Sequence, residues 1–322
     1  MKYTEKGTLI LDGKFVAKEM QNSIKKQIDE SGVEITLATV LVGDDKPSQL
    51  YVNNKHKQAT SSSIKSILVN LPGDISQLEL EEKITELGND PTVNGILIQM
   101  PLPKGLNEDS VIQMIPTNKD VDGLKEQNLG KLIVGNDILR PCTPLGVMKL
   151  IEYYNIATSG KKALVIGRSR LVGMPQVLMF GSKGIDCTVT LAHSRTKNLD
   201  DLISESEIVV PAIGVPGIIN ANNVKKGAIL LDVGISSDEN GIHGDVDFNG
   251  VDGIAEAVTP MPGGTGPMTV ACLLENTMKA AQLQGIIWAW IKIYIRIIKG
   301  WASHNAMALF TPYFILIKYR FH

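Results

Sequence analysis

Along the first half of the chain, short apolar runs rich in β-branched residues alternate with segments of helical periodicity. ITLATVLVG (35–43), SIKSILVNL (63–71) and NGILIQM (94–100) read as strands. The rhythm predicts a βαβαβ unit with parallel strands and crossover helices. One crossover helix begins at Ser76, with Glu79 three residues later as a capping box, and carries Leu78, Ile84 and Leu87. After the proline-rich joint PCTPLG (141–146) and a helix over about 146–154, the pattern repeats in KKALVIG, IDCTVTLAH, SEIVVPAIG and GAILLDVG. A second α/β unit follows. The loop TPMPGGTGP (259–267) then leads into a helix with Pro267 in its first turn and apolar Val270, Ala271, Leu273 and Leu274, running to about Gln284.

From Ile286 the composition breaks. The last 37 residues hold all three tryptophans, nine of the sixteen aromatics, five Lys or Arg and no Asp or Glu. No stretch reaches the ~20 uninterrupted apolar residues of a membrane-spanning helix. Lys292, Arg296 and Lys299 fall at i, i+4 and i+7, the spacing of an amphipathic helix lying on a membrane surface. An appended or frame-altered tail is the favoured reading, because so abrupt a rise in aromatic density is unlike the end of one domain.

Composition narrows the function classes. The 322 residues are 43% hydrophobic and 20% charged, enough for a sizeable core in about two domains. A formal net charge of -2 gives no electrostatic case for nucleic acid as a partner and favours small molecules. Cys142, Cys187 and Cys272 lack CxxC or metal-ligand spacing, which fits buried thiols in a reduced compartment and no metal site. The N-terminus lacks signal-peptide order, so a cytoplasmic location is expected.

Candidate chemistry begins in the second unit. The strand ALVIG runs into GRSRLVGMP, starting at Gly167, a strand-to-turn-to-helix junction of the dinucleotide-binding kind. Its spacing is not G-x-G-x-x-G, because Ser169 stands where the second glycine would allow close approach to a pyrophosphate. A carboxylate at the end of the next strand would bind the ribose 2′-hydroxyl of NAD, but this strand ends His193, Ser194, Arg195. Arg168, Ser194 and Arg195 suit a 2′-phosphate, so NADP is preferred. His193 reads as a packing or surface histidine. Gly214 and Gly234 close two later strands where a ligand would cross their carboxyl ends.

In the first unit, Tyr51 and Lys55 share a helical face in SQLYVNNKHK, Gln99 closes GILIQ, and Asp122 lies in KDVDG. Strand carboxyl ends of a parallel sheet share one edge, so these groups are candidates for one site. Taken singly, each also reads as a solvated helix face, a strand-ending amide or a turn aspartate.

SQLYVNNKHK, GILIQMPLP, KDVDGL, PCTPLG, VIGRSRLVGMP, DVGI, GDVDF and PMPGGTGPMTVACLLENT together resemble the bifunctional methylenetetrahydrofolate dehydrogenase/methenyltetrahydrofolate cyclohydrolase family, in order, over about residues 7–284. The resemblance implies a two-domain α/β fold: a catalytic, folate-binding domain over residues 1–145, completed by helix 267–285, and a Rossmann-type NADP-binding domain with a parallel sheet over 146–266. It implies tetrahydrofolate derivatives as substrates and a homodimer. Tyr51 would stack on the aminobenzoate ring, Lys55 would be the cyclohydrolase catalyst, Gln99 would hold and tune it, and Asp122 would bind the pterin. Gly167, Arg168, Ser169, Ser194 and Ile235 would contact NADP, and Pro262 with Gly263 would border the cleft. Two departures stand out: Pro211 sits in a strand that normally lacks proline, and the family ends near residue 285. Two alternatives remain open here, a non-catalytic NADP(H)-sensing protein and another NADP-linked dehydrogenase acting on a cyclic hydroxy acid.

Overall fold

Strands β1 (Lys2–Tyr3) and β2 (Leu9–Ile10) precede helix α1 (Gly13–Ser31) in a computed structural model that describes residues 1–239 and 241–286. The expected βαβαβ unit comes next, as β3 (Thr36–Val42), α2 (Lys46–Ser61), β4 (Lys65–Leu71), α3 (Gln77–Asn89) and β5 (Gly95–Ile98). Three helices, α4 (Glu108–Met114), α5 (Glu126–Val134) and α6 (Cys142–Tyr153), lead to the second series. That series comprises β6 (Lys162–Ile166), α7 (Gly173–Phe180), β7 (Thr188–Ala192), α8 (Leu199–Glu205), β8 (Ile208–Pro211) and β9 (Ile229–Leu230). A hairpin of β10 (Ser236–Asp238) and β11 (Gly241–His243), then α9 (Phe248–Val251), β12 (Ala257–Val258) and α10 (Thr265–Leu283) complete the described chain.

The smaller sheet has the order β4-β3-β5, all parallel. All seven residues of β3 are buried, as a central strand covered on both faces requires, which explains its unbroken apolar run. Ala38, Val40 and Val42 cluster with Leu80 and Ile84 of α3 and Val111 of α4. The capping box of α3 is reciprocal: the Ser76 hydroxyl accepts from the Glu79 N–H at 3.2 Å, and the Glu79 carboxylate accepts from the Ser76 N–H at 3.0 Å. The buried stripe is Leu80, Ile84 and Leu87, whereas Leu78 is 64% exposed. Leu78 lies about 200° around the helix from Leu80, so it cannot share that stripe.

The larger sheet runs β1-β2-β12-β9-β8-β6-β7 and is parallel except for the β1–β2 pair. The first ten residues therefore extend this sheet. Its core joins Leu11 and Val16 to Val147 and Leu150 of α6, Val165 of β6, Phe180 of α7 and Met268 of α10. Helix α10 packs on α1 and α6 and also touches α2 and β5. It links the two sheets.

Pro211 is the last residue of β8, which lies between β6 and β9. The Ala212 N–H donates to Ile166 O of β6 at 2.8 Å, so by alternation the donor that proline lacks would have faced β9. Regular pairing on that side stops at Leu230. The proline sits where the ladder ends. The amphipathic helix expected on Lys292, Arg296 and Lys299 lies outside the described residues, among which no helix is long and apolar enough to cross a membrane.

Candidate active site

Helix α2 starts just past β3, capped by Asp45, whose carboxylate accepts from the Ser48 N–H at 2.9 Å. Tyr51 and Lys55 follow one turn apart, Tyr51 exposed and Lys55 half-buried. In the parallel register Ile98 faces Val40, and the Gln99 N–H donates to Val40 O at 2.9 Å, so Gln99 leaves the sheet beside the end of β3. Its amide nitrogen donates to Met100 O at 2.6 Å, which turns the amide oxygen toward α2. Lys55 Nζ donates to that oxygen at 2.9 Å.

The KDVDG segment is laid beside β5 by a bond from the Ile96 N–H to Lys119 O at 2.8 Å. Its two aspartates have different tasks. Asp120 is buried, and its carboxylate accepts from the Lys125 N–H and Asn128 Nδ2, both at 2.8 Å, so it builds the turn. Gly123 has φ of 69° and packs against the backbone of Arg140, where a Cβ would lie 2.5 Å from the Arg140 carbonyl carbon. That approach sets Asp122 against Cys142 at the start of α6. Helix α6 begins four residues earlier than the sequence suggested, which is why a cysteine read only as a structural thiol lines this site.

Electrostatics couple Lys55, Asp122 and Cys142. Burial holds the Lys55 ammonium below the ordinary lysine value, while the charge of Asp122 pushes it back up. Burial first, and Asp122 second, raise the Cys142 thiol well above its usual range, so it is a neutral wall. The thiol donates to Val121 O at 3.3 Å. From α10, the buried Asn276 amide nitrogen donates to the same Val121 O at 2.9 Å and to Arg140 O at 2.8 Å. Asn276 was missed from the sequence, although a polar residue inside the apolar stripe of a helix was a usable signal.

In the larger sheet the chain passes from β6 outward to β7 and then returns to β8 on the other side of β6. The crevice of such a switch point lies at the carboxyl ends of β6 and β8. Gly167 sits there with φ of 119°, and a Cβ on it would be 2.7 Å from Ala212 O, so only glycine fits the turn. Arg168 and Ser169 follow, both exposed. The Ser169 hydroxyl accepts from the Val172 N–H at 3.1 Å and thus shapes the turn into α7. Helix α7 has no side-chain cap; its Met174 N–H donates to Ser169 O at 3.0 Å and Pro175 has no N–H, so the start of the helix is tied to the turn.

Ser194 and Arg195 are exposed just past β7, and no carboxylate stands there. His193 organises that turn: its N–H donates to Thr196 Oγ1 at 2.8 Å and its Nδ1 accepts from the Arg195 N–H at 3.2 Å. Ile235 is 52% exposed and its carbonyl faces Gly214. These features fit a nucleotide carrying a 2′-phosphate. Pro262 is exposed in the loop before α10, and Gly263 O accepts from the Lys14 N–H at 2.8 Å. Arg170 forms an ion pair with Asp109 of α4, tying the nucleotide loop to the smaller sheet's helices. A groove of about 980 Å³ elsewhere, between α5, α6 and α7, is lined by none of the proposed site residues.

A lysine tuned by burial beside a parallel sheet, together with a 2′-phosphate-compatible crevice, defines a two-lobed, nucleotide-dependent α/β enzyme. Family models cover both lobes: the catalytic domain of tetrahydrofolate dehydrogenase/cyclohydrolase matches residues 11–122, and its NAD(P)-binding domain matches residues 141–285. The chain belongs to the tetrahydrofolate dehydrogenase/cyclohydrolase family. It is 47% identical over 278 residues to the bifunctional protein FolD of Lactococcus lactis subsp. cremoris, covering 84% of this chain and 96% of the relative. The crystal structure of the bifunctional enzyme FolD, methylenetetrahydrofolate dehydrogenase/cyclohydrolase, from Campylobacter jejuni superposes with a TM-score of 0.83 at 40% identity, covering 86% of this chain and 99% of that one. The Trypanosoma brucei enzyme, solved with NADP cofactor and an inhibitor, gives 0.81 at 32% identity, covering 85% and 97%.

Proposed function

We propose that this chain oxidises 5,10-methylenetetrahydrofolate to the 5,10-methenyl form and hydrolyses that product to 10-formyltetrahydrofolate, with Lys55 as the proton-handling group of the second step. The observation that carries the assignment is the 2.9 Å bond from Lys55 Nζ to Gln99, with Asp122 beside it, at the edge where the parallel strands end. Membership of the family and its bifunctional relatives support both reactions.

NADP, when bound, supplies the acceptor for the hydride that leaves the one-carbon bridge. The first step needs no protein base, because a folate nitrogen lone pair stabilises the methenyl cation. The protein's work there is positioning: Tyr51 offers a ring face one turn from Lys55, Asp122 an acceptor for the pterin, and Pro262 with Gly263 a wall of the cleft. Gly167, Arg168, Ser169, Ser194 and Ile235 would hold the cofactor, with Arg168 and Ser194 the donors suited to its 2′-phosphate.

Hydrolysis needs proton management. Water adds to the methenyl carbon and loses a proton, and a ring nitrogen must leave carrying one. An ordinary ammonium is a poor base near neutral pH, so a lysine that serves there must be tuned downward. Burial supplies that tuning, and the cationic substrate adds to it. Gln99 orients the amine without adding a second carboxylate to the one that Asp122 already provides. A folate lobe of residues 1–145 completed by α10, and a nucleotide lobe of residues 146–266, belong to the same reading. So do a homodimer, supported by the resemblance to the family, and a cytoplasmic setting, supported by three free cysteines among the described residues. One assay tests the whole: NADPH formation and methenyl disappearance followed together for wild type and Lys55→Met. The variant should keep the first signal and lose the second; equal hydrolysis in both proteins refutes the role of Lys55.

A further inference from the structure

Two buried aspartates outside the lysine cluster contact one another's loops and have no task in the chemistry above. Asp232 ends the GAILLD run after β9, and Asp245 follows the β10–β11 hairpin; they are 1% and 0% exposed. Burying a carboxylate costs several kcal/mol unless donors replace its water. Here backbone N–H groups do so. Asp245 Oδ2 accepts from the N–H groups of Ile213 at 2.8 Å and Gly214 at 3.2 Å, and Oδ1 accepts from Val215 at 2.6 Å. Asp232 Oδ1 accepts from Gly234 at 3.1 Å and from Asp245 itself at 3.0 Å, and Oδ2 accepts from Val246 at 2.9 Å.

The two loops interlock without spare room. A Cβ on Gly234 would lie 1.9 Å from the Asp245 carboxyl carbon, and one on Gly244 would lie 1.9 Å from Asp232 Oδ2. Asp232 is also tied to the folate-side helix, because its carbonyl accepts from the Thr265 hydroxyl of α10 at 2.7 Å. What Asp245 grips is the turn from Ala212 to Val215 at the end of β8. That turn forms one wall of the crevice: Ala212 O abuts Gly167, and Gly214 abuts Ile235 O.

We infer that Asp245, held in place by Asp232, is a positioning residue for the dehydrogenase step, fixing the turn at residues 212–215 against Gly167 and Ile235 so that the cofactor crevice is pre-formed. The inference rests on the reading that Gly167, Arg168 and Ile235 hold NADP. Three consecutive N–H groups aimed at one carboxylate define the path of a turn that would otherwise sample several conformations, and a crevice populated only part of the time binds its ligand correspondingly more weakly. Lys55 on α2, Gln99 just past β5 and Asp122 in its turn stand beside the other sheet, and no bond to this carboxylate involves them. Loss of Asp245 therefore separates the two activities.

The experiment compares Asp245→Asn, Arg168→Ala and wild type as full chains, measuring KM for NADP+ and kcat of the dehydrogenase, kcat of methenyl hydrolysis, and Tm. An asparagine keeps the shape but offers one acceptor oxygen where the turn needs two. We expect KM for NADP+ to rise about tenfold or more in Asp245→Asn, with hydrolysis within about twofold of wild type, as loss of one to two charge-assisted bonds implies. An unchanged KM, or a parallel fall of both activities with Tm, overturns the positioning role and leaves Asp245 as a merely structural group. Should Asp245→Asn not accumulate as folded protein, Asp232→Asn, one bond further from the turn, must give the same KM-selective loss or the inference fails. Arg168→Ala separates the two layers of the argument. If it leaves KM for NADP+ unchanged, the cofactor-site assignment is wrong; if it raises KM while Asp245→Asn does not, only the positioning role is wrong.

Discussion

Replacing Gln99 with glutamate keeps the length and branching of an acceptor 2.9 Å from Lys55 Nζ and adds one negative charge. Unit charges about 3 Å apart attract by roughly 6 kcal/mol at an effective dielectric of about 20. Lys55 is half-buried, so solvent screens part of this. Retaining half leaves about 3 kcal/mol favouring the ammonium, which at about 1.4 kcal/mol per tenfold means about a hundredfold less free amine near neutral pH. Burial already works in the opposite direction, and Asp122 already opposes it, so Gln99→Glu tips a balance that the native amide leaves alone. The hydrolysis rate should fall about a hundredfold at neutral pH and recover as pH rises, because deprotonating the amine restores the base. Hydride transfer, which uses no base, should stay within a few-fold. The assay is methenyl hydrolysis followed by absorbance from about pH 6 to about pH 9, beside NADPH formation in the same samples. A wild-type pH profile in Gln99→Glu, or equal loss of both activities, refutes the reasoning that Lys55 acts as a tuned base.

Arg168→Ala should weaken NADP+ far more than NAD+ in dehydrogenase KM measurements, because only the former carries the 2′-phosphate; equal losses refute that contact. Asp232, pushed up to about 7 by burial against an ordinary value of 3.8, keeps its proton in the folded state after the unfolded chain has lost it. Stability from this group is therefore full below about pH 4 and declines as pH rises to about 7, by up to about 1.4 kcal/mol per pH unit. Thermal unfolding at several pH values should show that slope in wild type and a flatter one in Asp232→Asn. Ser76→Ala removes the hydroxyl that caps α3 and should cost about 1 kcal/mol in urea unfolding with both activities intact.

How far the sequence revealed the structure follows from the range of the interactions involved. The βαβαβ unit was legible because β3 is buried on both faces and α3 carries a reciprocal capping box, both of which leave local marks. The place of β1 and β2 was not legible. Each is two residues long, and β2 pairs in parallel with β12, some 248 residues away, so nothing local distinguishes it from a loop. Lys55, Gln99 and Asp122 could be proposed together because parallel strands deliver their carboxyl ends to one edge, and the structure does bring Lys55 and Gln99 into contact there. Cys142 escaped because a helix boundary four residues from its expected place decides whether that thiol faces a core or a site.

The aspartates behind the crevice did leave a mark, of a different kind. GAILLD places a carboxylate directly after four buried apolar residues, Ala228 to Leu231, and burial penalises the charged form by several kcal/mol. Such a residue persists only where donors meet it, and in a chain of near-neutral charge the abundant unpaired donors are the backbone N–H groups of turns. A buried aspartate at a strand's carboxyl end therefore signals a turn whose shape must be held. The ends of parallel strands are also where ligands bind, so the same residue points to a site it does not touch. Asp232 meets both conditions and holds Asp245, which reaches across to the turn after β8, whereas Asp120 grips its own turn four and five residues on and shapes the folate side instead. Specific hydrolysis with weakened NADP+ in Asp245→Asn would show that this distinction, between a carboxylate that builds its own turn and one that reaches across to another, has functional content.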